Sequence, residues 1–203
     1  MLKNPIPQVT NQLQYRAIGI INGKFTPHDT EKLNRGFLID NKGEKIETVV
    51  LGKALSILKK HIDLKKSYYW VVYPKNKNTQ NLHLQVAGIW DPYQLNDFPN
   101  DSSKTNFSKL LKELDLKDNY FSVRGELVFV NTKKKEVVMK ICSASKLKTL
   151  KNKNFKLVIK GDLSLELLNS FISLDVIRDG NSLELINYEV IEKNFTKKIR
   201  MNS

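Results

Sequence analysis

The chain has 203 residues, a net charge of +13 and a hydrophobic share of 40%, enough for one large or two small cores and too much for a disordered polycation. No run approaches the roughly 18 apolar residues of a membrane span, and residues 1–14 lack the apolar core and small-residue cleavage site of a secretory leader. The single cysteine, Cys142, excludes an internal disulfide, so the expected setting is soluble, reducing and cytoplasmic, with no membrane partner. Cys142 lies in an apolar run and reads as a buried structural thiol. The positive charge points to a polyanion or an acidic protein. Lysine and asparagine codons are AT-rich, however, and base composition alone can supply part of it. Only five of the 34 basic residues are arginine, which disfavours bidentate reading of guanine and suits point-charge contacts of lysine to phosphate.

After an N-terminal arm, residues 1–14, the segment 15–95 reads as a first small barrel. Tyr15 to Ile21 is its first strand. Phe37 to Asp40 and Lys45 to Leu51 flank the glycine turn Asn41-Lys42-Gly43 as two further strands. Lys53 to His61 places Ala54, Ile57, Leu58 and His61 on one helical face. Tyr69 to Tyr73 and Leu82 to Trp90 complete the sheet across the polar loop Lys75 to Asn81.

Residues 96–117 form a linker: Asn96 to Asn106 holds turn and loop residues with no sustained apolar period, and Phe107, Leu110, Leu111 and Leu114 then follow at i, i+3, i+4, i+7. That spacing predicts a short amphipathic helix capped by Asn106. In the second barrel, residues 118–195, Phe121, Val123, Gly125, Leu127 and Phe129 alternate with Ser122, Arg124, Glu126 and Val128, the period of a half-buried strand. Glu136 to Cys142 returns after the turn Asn131 to Lys135. A lysine-rich loop with Lys146, Lys148, Lys151 and Lys153 leads to a strand carrying Phe155, Leu157, Ile159 and Leu163. Ser164 to Asn169 suits one helical turn. Phe171 to Ile177 and Leu183 to Ile191 then form a hairpin around Asp179-Gly180. Residues 196–203 are a basic tail.

Each half therefore has five strands, with a helical element between the third and fourth. The expected fold class is mainly β: two tandem five-stranded Greek-key barrels of the OB type with a few short helices. The halves also share strings in the same order at nearly constant offset. Gly19 stands within the first strand as Gly125 does, Leu51-Gly52 parallels Lys160-Gly161, and Leu82-His83-Leu84 parallels Leu183-Glu184-Leu185. A diverged duplication leaves such a trace.

Arg16-Ala17-Ile18-Gly19, Leu51-Gly52, Trp70-Val71-Val72-Tyr73-Pro74 and Val86-Ala87-Gly88-Ile89-Trp90-Asp91-Pro92 give residues 15 to 92 a likeness. This region resembles a conserved, uncharacterised family of small cyanobacterial proteins. The resemblance implies a cyanobacterial or plastid setting and no particular activity.

Catalytic motifs are lacking. His28, His61 and His83 show no metal-ligand spacing, and no phosphate loop, nucleophile elbow or carboxylate pair appears, so neither an enzyme, a metal nor a cofactor is expected. Binding is better supported. An OB barrel takes its ligand across strands two and three, between the loops joining strands one and two and strands four and five. Those places hold Lys133, Lys134, Lys135, Lys140, Lys156, Lys160 and Arg178. The partner of such a groove is a single strand, RNA or DNA, held by phosphate contacts with little base specificity. Phe129, Phe155 and Phe171 read as core, whereas Tyr69, Trp70, Tyr73 and Tyr188 are candidates for a stacking or partner surface. If that surface is the working one, the protein is instead an interaction or assembly module with a protein partner.

Overall fold

A computed structural model describes residues 4–76, 81–91, 109, 111–114, 116–143 and 153–195. The chain forms two compact units that interleave in sequence. One comprises residues 1–7, 19–73 and 83–120, the other residues 8–18, 74–82 and 121–203. The division falls inside the first strand, between Ile18 and Gly19.

The first barrel is built from β1 (Arg16–Pro27), β2 (Arg35–Asp40), β3 (Lys45–Val50), α1 (Gly52–His61), β4 (Tyr68–Asn76) and β5 (Leu82–Trp90). The strands run in the order β1-β2-β3-β5-β4 and close back onto β1. All pairings with printed register are antiparallel except β3 with β5, which runs parallel through Thr48/Leu84 to Val50/Val86. This is the five-stranded Greek-key barrel expected from the sequence. Closure turns on Gly23, which pairs with Asp40 of β2 and with Tyr68 of β4. A Cβ there would collide with the carbonyl of Ile39, so only glycine lets the strands approach. Ile20, Leu38, Ile46, Trp70 and Leu84 fill the barrel at 0% exposure. The Trp70 indole donates to the Gly23 carbonyl at 2.9 Å, which satisfies its one polar atom. α1 follows Gly52 (φ 56°), buries Ala54 and Leu58, and ends on Lys59, Lys60 and His61, cations that suit a helix C-terminus.

The second unit repeats the order with β6 (Tyr120–Asn131), β7 (Glu136–Ser143), β8 (Lys153–Lys160), β9 (Phe171–Asp179) and β10 (Ser182–Glu192). Its strands run β6-β7-β8-β10-β9 with β9 returning to β6, and again the third and fifth pair in parallel, at Lys160/Glu184. A single 3₁₀ turn, Leu165–Leu167, capped by the Ser164 side chain, replaces the helix between strands three and four. Phe121, Val123, Leu127, Met139, Leu157 and Phe171 form the core, all at 0% exposure.

The structure revises several expectations. The glycine that matches Gly125 is Gly23 and not Gly19: a Cβ on Gly125 would strike the Lys140 carbonyl just as one on Gly23 strikes Ile39. β6 is not half-buried, because Ser122, Arg124 and Glu126 on its polar face are 3%, 7% and 3% exposed. Residues 12–16 cover them. Arg16 donates to Ser122 Oγ at 2.8 Å, Arg124 donates to the Gln12 carbonyl at 2.6 Å, and the Tyr15 hydroxyl donates to Glu126. Burial, and next the hydrogen bond to Glu126, push the Tyr15 phenol well above its ordinary range. Cys142 is only partly buried. Of the predicted connector helix, residues 109 and 111–113 are helical. Asn106, the loop lysines Lys146, Lys148 and Lys151, and residues 196–203 lie outside the described residues.

Candidate nucleic-acid interface

In the second unit, β7 and β8 lie antiparallel in continuous register from Glu136/Lys160 to Ser143/Lys153. Alternation sends Val137, Met139, Leu157 and Ile159 into the core at 0% exposure. Glu136, Val138 and Lys140 therefore share the outer face with Lys156, Val158 and Lys160, paired as Glu136/Lys160, Val138/Val158 and Lys140/Lys156. Lys156 and Lys160 are exposed.

Phe129 joins this face, against expectation. A register shift between Leu127 and Phe129 marks a bulge in β6, which reverses the alternation and turns Phe129 outward opposite Val138, 51% exposed. Phe129, Val138 and Val158 thus form one row across three strands. The signal was hidden in the run Leu127-Val128-Phe129-Val130: with every residue apolar, no period shows where the parity changes.

The turn between β6 and β7 carries Lys133, Lys134 and Lys135, all exposed. It is held at both ends. Asn131 Oδ1 accepts from the Lys134 amide at 3.0 Å, and the Lys135 carbonyl accepts from the Gly161 amide, just past β8, at 2.7 Å. The three lysines thus stand at the Lys160 end of the face.

Two candidate cations are already engaged. Lys140 sits 3.2 Å from both carboxylate oxygens of buried Glu126, a pairing that offsets repulsion from Lys156 directly opposite. Arg178 is 4% exposed and donates to the Gly180 carbonyl at 2.6 Å. It braces the turn of the β9–β10 hairpin from inside instead of lining a groove. Gly180 takes φ 54° as the first of the two loop residues, the position where such hairpins favour glycine.

The aromatic candidates separate as well. Trp70 is core and offers no stacking surface. Tyr69 is half-buried edge-to-face on Trp90 at 5.9 Å, and burial, then the charge of Asp118, raises its pKa. Tyr73 is 40% exposed, and all three belong to the first unit. Tyr188 is 45% exposed on β10 opposite Leu174. Phe171 is core as expected, but Phe155 is only half-buried, and the Lys75 ammonium stands 3.2 Å from its ring centroid. Burial lowers the pKa of Lys75.

Sequence reasoning also missed Asn76. β8 meets β10 at Lys160/Glu184, but the Val158 amide, two residues earlier, donates to Asn76 Oδ1 at 3.1 Å. The strands part there around a cleft of about 250 Å³. Its apolar floor is Leu82, Val158 and Leu183, and its polar lining is Asn76, Glu136, Lys160, Asn181 and Ser182. No group of three or more metal-ligating side chains exists among the described residues, and none of their helices is long and apolar enough to cross a membrane.

Comparison with known families bears on this geometry. Residues 17–97 match the PatR RNA-binding protein N-terminal OB-fold domain, and residues 123–192 match the cyanobacterial OB-fold-like RNA-binding domain, C-terminal. Each half of the chain matches an OB-fold family model. The cyanobacterial resemblance of the first half thus holds, and the tandem OB pattern extends through the second. No curated protein matches the chain at a significant level. Among the described residues, the β7–β8 face of the second barrel gathers exposed lysine around an exposed aromatic ring.

Proposed function

We propose that this protein binds single-stranded RNA without catalysing a reaction on it, across the β7–β8 face of its second OB barrel. Both family descriptions name RNA binding, which supports a nucleic-acid partner. One observation carries the placement: Phe129, exposed by the β6 bulge, lies in the row with Val138 and Val158 while Lys133, Lys134, Lys135, Lys156 and Lys160 surround it. An exposed ring stacks on any base, and lysines on flexible stems follow a phosphate backbone without reading sequence. Lys140 and Arg178 contribute rigidity, not ligand contacts. A single strand is favoured over a duplex because stacking needs a splayed base.

The test is fluorescence anisotropy with single-stranded RNA, single-stranded DNA and duplex RNA across a salt series. Each phosphate contact on a single strand contributes about −0.7 to the slope of log K against log salt. Submicromolar binding to single strands with several counterions released supports the reading. Affinity equal for the duplex and gone by about 0.15 M salt would mark the charge as nonspecific and overturn it.

A further inference from the structure

We infer that the cleft at the edge of β8 receives one nucleobase and favours uracil over cytosine. The inference rests on the RNA-binding reading above and adds a specificity to it.

The cleft continues the stacking row. Val158 is both the last member of the Phe129-Val138-Val158 row and part of the cleft floor, so a strand lying across the face passes from the ring to the opening. Neighbouring strands lie about 4.8 Å apart, which puts the opening about two strand widths from Phe129. At about 250 Å³ the cleft is smaller than the roughly 300–1,000 Å³ of a drug-sized site and suits one planar heterocycle. Its floor offers apolar surface to a base face, while its rim offers amides and a hydroxyl to a base edge.

The polarity of the rim decides the preference. An asparagine amide can usually sit either way round, but Asn76 cannot. Its Oδ1 must face the Val158 amide, a donor, so its Nδ2 hydrogens are the outward groups. Lys160, also on the rim, can only donate. Glu136, the cross-strand neighbour of Lys160, also lines the cleft and can only accept, so the lining offers two donors and one acceptor, a set that uracil meets with O4, O2 and N3–H. Cytosine has an amino group in place of O4 and no N3–H, so it meets only part of that set. Asn181 and Ser182 stand on the hairpin that buried Arg178 braces, so this side of the rim is fixed before a ligand arrives.

The test compares oligouridine with oligocytidine of equal length at neutral pH, using the full chain. The parent should favour uridine by about threefold to tenfold, the range of one net hydrogen bond. In Asn76→Asp a carboxylate oxygen still accepts from Val158, but the outward donor becomes an acceptor. The uridine-to-cytidine ratio should then fall to one or below, whatever the added charge does to both affinities. Lys160→Glu, at an exposed position, keeps the question open to refutation if the first variant fails to fold; it should lower the same ratio. A parent that binds both strands equally, or variants that leave the ratio unchanged, would overturn the inference and leave RNA binding standing. A parent that binds neither strand would overturn both readings.

Discussion

The two barrels share one strand order and one parallel pairing, yet differ in where they put their aromatic residues and how they join strands three and four. The first places Trp70 at its centre, satisfies the indole on Gly23, and spends ten residues on α1. The second makes the same connection with a three-residue turn and leaves Phe129 outside. Topology thus fixes the path of the chain, while one extra residue in a strand decides whether a ring stabilises the fold or faces a ligand.

The sharpest way to break this contrast is to remove the two rings. Trp70→Ala should cost about 3–5 kcal/mol in urea unfolding, as a buried aromatic does. Phe129→Ala should leave the unfolding midpoint close to the parent's. If both cost the same, the distinction between core and surface aromatic is wrong. Next come the glycines. Gly23→Ala and Gly125→Ala each force a methyl against a carbonyl of the neighbouring strand and should cost about 1–3 kcal/mol. Gly43→Ala meets no atom within 4 Å and carries only the strain of φ 81°, so it should be milder. Unequal penalties at Gly23 and Gly125 would mean that the barrels do not close alike.

On the binding side, Phe129→Ala should weaken RNA affinity by about 1–3 kcal/mol, the value of one stacked base. Reversing Lys133, Lys134 and Lys135 to glutamate should lower the magnitude of the salt slope by about 2 if each lysine meets one phosphate. An unchanged slope would move the site elsewhere. The smallest effect is alkaline. Folding holds the Tyr15 proton beyond its ordinary pKa of 10.0, so that stability is fully present below pH 10 and declines as pH climbs above it. Urea unfolding at about pH 8 and pH 11 should show the decline, and Tyr15→Phe should lessen it.

The architecture was legible because each strand carried a period and each hairpin a turn signal: Gly43, Gly180 and the helical face of Ala54 and Leu58 all stand where the sequence placed them. The exposed lysines of the β6–β7 turn and of β8 were legible for the same reason. Phe129 was not, because a bulge inside an all-apolar run leaves no mark on the pattern. Gly19 was matched to Gly125 in place of Gly23 because two glycines four residues apart share a parity, and only the approach of β2 separates them. Arg178 and Lys140 looked available because charge is visible in a sequence and its partners are not. Asn76 was invisible as a rim residue, since its role depends on an amide more than eighty positions away.

The interleaving of the two units bears on synthesis. Residues 8–18 and 74–82 leave the ribosome long before residues 121–195, whose buried Ser122, Arg124 and Glu126 they satisfy or whose β8 edge they meet. At about 5–20 residues per second, these early segments wait several seconds for their partners. The second unit therefore completes only after its last strand, β10, has been made. Cutting the gene into halves would strand two segments of that unit on the wrong fragment, and such halves should regain RNA binding only when mixed.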